Sequence, residues 1–211
     1  MSLTNIKESG GKKKNFGRID EGTFVARVAQ LIDLGVQEDE YEGERKVAHK
    51  IFINFEFPTE MMEIEGEQKP RWVGKEFGVS LHEKATLTKL VQSADPDGKL
   101  TSKGRNLKGL MGLPLMVTIG STKTGNAKIA GMARLMKGLQ VAELSKDPVF
   151  FDMDSASKED YEVLPQWIQD KIKAGLDFND TVLAKALGMK TKEKYEATPG
   201  TIEDMVSDSP Y

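Results

Sequence analysis

The chain has 211 residues, 38% apolar and 30% charged, with a formal net charge of −3 and no cysteine. That composition describes an ordinary soluble chain, with one sizeable core plus tails or two small domains. It excludes disulfides, thiolate nucleophiles and cysteine-ligated zinc, and two histidines (His49 and His82) are too few for a histidine-rich metal site. No apolar run approaches the ~18 residues of a membrane span. The stretch MSLTNIKESGGKKKNFG has no hydrophobic segment behind its basic cluster, so no secretory leader is expected and the setting is read as cytoplasmic.

Residues 1–19 are rich in Gly, Lys, Ser and Asn and read as a disordered arm, with Lys12, Lys13 and Lys14 as a small basic cluster. Thr23–Gln37 then reads as a strand, with Phe24, Ala26, Val28, Ile32 and Leu34 on one parity and Arg27 on the other. Gln37–Arg45 is an acidic loop. Val47–Pro58 alternates strictly, placing His49, Ile51, Ile53, Phe55 and Phe57 on one side and Lys50, Phe52 and Asn54 on the other. Period-two alternation marks half-buried strands, and two joined by a polar loop form an antiparallel hairpin with one wet face. Residues 59–68 form an acidic connection with a turn at Glu65–Gly66. Arg71–Val79 is a third strand, with Arg71, Lys75 and Phe77 on one parity and Trp72 on the other.

Ser80 and Glu83 form a capping-box pattern that opens a helix carrying Leu81, Ala85, Leu87, Leu90 and Val91. A second helical turn is expected over 102–111. Leu113–Gly120 and Ala127–Leu135 pair as strands around a turn containing Lys123, with Lys128 on the second strand and Gly131 marking a bulge. Five strands with a helix between the third and fourth is the order of an OB-fold barrel, expected over residues 20–140. A helical extension is expected over 141–190: VFFDMD as a short strand, a helix capped by Ser157, a restart at Pro165 with Trp167, Ile168 and Ile172 on its apolar side, and a last helix ended by Gly188. The fold class is therefore mainly β with α. Residues 191–211 are polar and acidic and read as a disordered tail.

None of the common phosphate-loop, dinucleotide, zinc-protease or nucleophile-elbow motifs occurs, and nothing in the chain calls for a cofactor or points to an enzyme. Asp152 and Asp154 stand close enough in sequence to hold a divalent cation in a nuclease, but no third carboxylate can be placed beside them. The positive signal is the wet strand face. Sequence-tolerant single-strand binders combine cations with exposed aromatics on which bases stack, at roughly 1–3 kcal/mol per base. Here Arg27, Lys50, Phe52, Arg71 and Lys75, with either Trp72 or Phe77, are candidates to line one sheet face. Lys123 and Lys128 lie on the last hairpin, which flanks OB ligand grooves. From Tyr195 to Tyr211 there are four acids and no base, which leaves the body with 30 basic and 29 acidic residues. A near-neutral body with a local basic face is compatible with phosphate binding.

The tail DMVSDSPY resembles the acidic C-terminal tips of bacterial and bacteriophage single-stranded DNA-binding proteins, with Tyr211 where phenylalanine is usual. GTFVARVAQLIDLGVQ, KIFINFEFP, SLHEKATLTKLV, LMGLPLMVTIG and LPQWIQDKI are similar to phage-encoded members of that class, over roughly Gly22 to Ile172. The acidic insertion at 59–68 has no counterpart there. The resemblance implies an OB-fold and coating of single-stranded DNA in replication, recombination and repair, in the host cytoplasm if the chain is phage-encoded. It also implies recruitment of polymerase, helicase or nuclease through Glu203, Asp204, Asp208, Pro210 and Tyr211. It implies no catalytic residue, and a homo-oligomer is compatible with it. A protein-interaction module on the same barrel is the rival reading.

Overall fold

The computed structural model describes residues 19–189, apart from 42, 123 and 125. The basic arm with Lys12, Lys13 and Lys14, the hairpin residue Lys123, and the acidic tail with Glu203, Asp204, Asp208, Pro210 and Tyr211 lie outside these residues. Three long strands open the chain as a meander: β1 (Gly22–Tyr41), β2 (Glu44–Ile64) and β3 (Glu67–Gly78). Helix α1 (Thr86–Ala94) follows, then the hairpin of β4 (Pro114–Ser121) and β5 (Ala127–Ala133). A short β6 (Val149–Phe151) leads into α2 (Lys158–Glu162), α3 (Gln166–Lys173) and α4 (Val182–Ala186). The sheet order is β3-β2-β1-β4-β5, antiparallel throughout, with β6 added parallel to β1. No helix among the described residues is long and apolar enough to cross a membrane.

The expected closed barrel is not what forms. Among the described residues no backbone ladder joins β3 to β5, and the sheet is open. The two edges meet through a side chain: Lys75 Nζ of β3 donates to the Ile129 carbonyl of β5 at 3.3 Å. A lysine stem standing on the inner face holds the edges apart by its own length, where a closed barrel would have backbone pairing.

The first hairpin extends beyond its apolar pattern. The expected acidic loop is a continued ladder, in which Glu38, Asp39 and Glu40 face Val47, Lys46 and Arg45, and Arg45 pairs with Glu38 at 3.2 Å. Cross-strand pairing of opposite charges stabilises a ribbon with no core beneath it. The 59–68 connection is likewise strand up to a two-residue turn at Glu65 and Gly66. Both turn residues have positive φ, the geometry that matches strand twist in tight hairpins.

The inner sheet face carries the first core. Val28, Ile53, Phe55, Phe57, Phe77, Leu115, Val117 and Ile119 meet Leu87, Leu90 and Val91 of α1. That helix starts six residues later than its capping pattern predicts. Ser80 Oγ accepts from the His82 amide and the His82 ring accepts from Lys84, both at 3.3 Å. Such local bonds offer the backbone an alternative to the helical ladder. The expected helical turn over 102–111 is a loop ending in a 3₁₀ turn at Leu107–Leu110.

A second core lies on the opposite face. A bulge between Val28 and Gln30 inserts Ala29 into β1. One extra residue reverses the side assignment of everything after it. Leu31 therefore joins the inner core, while Ile32 and Leu34 turn outward, which corrects the single parity expected for this strand. Outside, they are covered by Phe151, Met153, Tyr161, Leu164, Ile168, Ile172, Phe178 and Leu183 of the extension. The extension's own signals hold: Ser157 and Asp160 form a capping box, and the helix breaks at Pro165.

Candidate functional site

The outer face of β1, β2 and β3 is laid out in rows set by strand register. Arg27, Glu56 and Trp72 form one row, Gln30, Asn54 and Gly74 the next, and Ile32, Phe52 and Glu76 the third. Rows on one face are spaced by two residues, so Trp72 and Phe52 stand about 13 Å apart along the strands.

Both end rows are anchored by later parts of the chain. At the first, Arg27 donates to the carbonyls of Gly112 (2.7 Å) and Ala142 (2.8 Å) and pairs with Glu143 at 3.0 Å. The Glu56 carboxylate is buried. It accepts from Trp72 Nε1 at 3.0 Å and from the Ser145 amide and hydroxyl at 2.7 Å each. The 141–147 segment is thereby strapped across this end. At the third row, Lys171 of α3 pairs with Glu76. The Trp167 ring meets Phe52 edge-on, centroids 5.0 Å apart at 86°.

Between these anchors the middle row is only partly covered. Asn54 donates to Gln30 at 2.8 Å, and Gly74 lies beside them. Phe52 and Asn54 approach the Gly74 backbone so closely that any Cβ there would collide with both side chains, so glycine is what lets Phe52 lie across β3. The result is a strip with a polar floor and an aromatic at each end: Trp72, 41% exposed, and the Phe52–Trp167 pair, with Trp167 50% exposed.

The structure brings only part of the sequence-derived set together. Phe52 and Trp72 share the strip. Arg27 sits beside Trp72, but its guanidinium is consumed by the strap. Lys50 is on the same face, yet its side chain is 14% exposed and pairs with Asp39. The other three β3 candidates have the opposite parity. Phe77 is 2% exposed inside the first core and has no ring face to offer a base. Lys75 reaches across to β5, and Arg71 pairs by register with the inner-face Phe57. Lys128 is exposed on β5, at the other edge of the sheet order.

Two residues of the strip escape strand-pattern reasoning. Trp167 reads as part of the apolar side of α3, yet Ile168 and Ile172, four apart, form the buried stripe and Trp167 is one position off it. That offset is the available signal. Glu56 has none, because its burial depends on Ser145, which is remote in sequence. Asp152, a candidate cation ligand, instead accepts the Asp154 amide at 3.0 Å. No group of three or more His, Cys, Asp or Glu able to hold a metal occurs among the described residues.

Near the base of the β1–β2 arm, His49 Nε2 lies 2.6 Å from Asp33 Oδ1. The Asp33 hydrogen bond raises the His49 pKa above its ordinary value, against partial desolvation, with support from the charges of Asp177 and Asp152. Asp177 also accepts the Val36 amide at 2.8 Å, so this charge cluster ties the arm to the extension.

Comparison with family models, curated proteins and solved structures found no match for this chain.

Proposed function

We propose that the protein binds single-stranded DNA without sequence preference, on an OB-like arrangement of strands, and coats it during replication or recombination. The strip on the outer face carries this reading: two exposed aromatic ends flank a polar floor of Asn54, Gln30 and Gly74. Bases have π faces whatever their identity, so rings held at fixed spacing bind any sequence. The strand order supports the fold assignment. A long β1 shared by β2 and β4, with a helix between β3 and β4, is the OB order left open at its β3–β5 seam. Recruitment of replication or recombination proteins belongs, in this proposal, to the acidic terminal residues Glu203, Asp204, Asp208, Pro210 and Tyr211.

The test is oligo(dT) titration of Phe52→Ala/Trp72→Ala against the parent chain. Two stacking contacts at roughly 1–3 kcal/mol each predict a loss of at least tenfold. Unchanged affinity in a folded double variant overturns the stacking strip.

A further inference from the structure

The strip has rings but few available charges. Arg27, Lys50 and Lys171, the cations on its face, are each paired with a carboxylate. Binding of a polynucleotide nevertheless depends on cations that displace condensed counterions from its phosphates.

The loop between α1 and β4 has the opposite character. Lys99, Lys103, Arg105 and Lys108 fall within ten residues that contain no acid. All four side chains belong to exposed residues. Lys99, Lys103 and Arg105 make no side-chain hydrogen bond or ion pair among the described residues. Lys108 lies over the Phe150 ring, 5.9 Å from its centroid, and that contact places the loop against β6. Asp97 is exposed on the rim of the same 250 Å³ hollow as Lys103 and forms no ion pair with it.

The loop is also fixed in shape. The buried Asp95 carboxylate accepts from the amides of Leu100 (2.9 Å) and Thr101 (2.8 Å) and from the Thr101 hydroxyl (2.9 Å). Backbone bonds run from Lys103 to Gly98 at 3.0 Å, and from Gly104 and Asn106 to Thr101 at 2.9 Å each. Ser102 and Lys103 sit in succession at φ 48° and 56°, a region that β-carbons disfavour. Strained non-glycine residues persist only where the surroundings over-determine them, and they concentrate at functional sites. A rigid loop with unpaired cations presents charge at little ordering cost.

We propose that Lys99, Lys103 and Arg105 are the principal phosphate contacts of this protein for single-stranded DNA. The inference rests on the DNA-binding reading above and relocates its electrostatic component from the strand face to the α1–β4 loop.

The experiment measures oligo(dT) affinity over a salt series for the full chain and for Lys99→Gln/Lys103→Gln/Arg105→Gln. Each phosphate contact on a single strand contributes about 0.7 to the slope of log affinity against log salt. Loss of three contacts is therefore expected to flatten the slope by about 2 and to lower affinity at least about tenfold at low salt. A parent chain that binds with a salt slope the triple variant leaves unchanged overturns the loop assignment and leaves the stacking strip standing. A parent chain that does not bind oligo(dT) overturns both. Lys99→Gln/Arg105→Gln, which spares the strained Lys103 backbone, gives the same readout with an expected flattening of about 1.4 if the triple variant misfolds.

Discussion

The two faces of the β1–β2 hairpin are built on different terms. The inner face is a continuous apolar surface closed by α1, in which Ile53, Phe55 and Phe57 have no solvent exposure. The outer face is a mosaic: apolar at Ile32 and Leu34 where the extension lands, polar at Gln30 and Asn54, and aromatic at Phe52 and Trp72. Stability is concentrated in the first surface, and the capacity to bind a ligand in the second. Substitutions on opposite faces of the same strand should therefore give opposite phenotypes.

The largest effect is expected from Phe55→Ala, which empties a fully buried ring site. A loss of about 3–5 kcal/mol in denaturant unfolding is expected, and a loss below ~1 kcal/mol would remove the distinction between the faces. Glu56→Ala is next. It strands the donors of Trp72 and Ser145, at about 1–3 kcal/mol, and releases the strap, so proteolysis within 141–147 should quicken. Trp167→Ala removes a half-exposed ring. It should change stability by less than about 1.5 kcal/mol, the value of an aromatic pair, while weakening oligo(dT) binding severalfold. Equal loss of stability and binding would make Trp167 a packing residue only. The smallest effect is expected at His49. Its folded pKa is raised, so the Asp33 pair stabilises fully below about pH 6.5, the unfolded value. That contribution fades as pH rises through the folded pKa. His49→Gln should flatten this pH dependence in thermal melts, and a melt profile unchanged by the substitution would remove the charge link between arm and extension.

Sequence pattern revealed the inner face well, because alternation over Ile51–Phe57 needs no knowledge of partners. The order of strands, the Glu65–Gly66 turn and the Ser157 cap were readable for the same local reason. The outer face was not, and each failure is physical. The bulge at Ala29 breaks the period-two arithmetic without leaving a Gly or Pro to announce it. Phe77 differs from Trp72 only in parity, and both were admitted as candidates. The pairing of Arg27 with Glu143 and of Lys50 with Asp39 is tertiary, so cations that looked available in the strand pattern are occupied. The α1–β4 loop was read as a helical turn, and its charges were passed over, because Asp95 capping is invisible until Thr101 folds back on it.

The extra residue at Ala29 has an engineering consequence. Downstream of it, one ribbon is committed to two separate hydrophobic assemblies, and neither can be trimmed without baring the other's wall. A version ending before Val149, made to widen access to the aromatic platform, would leave Ile32, Leu34 and Phe52 facing water as a contiguous greasy stripe. Such a truncation should self-associate before it gains any hold on a polynucleotide.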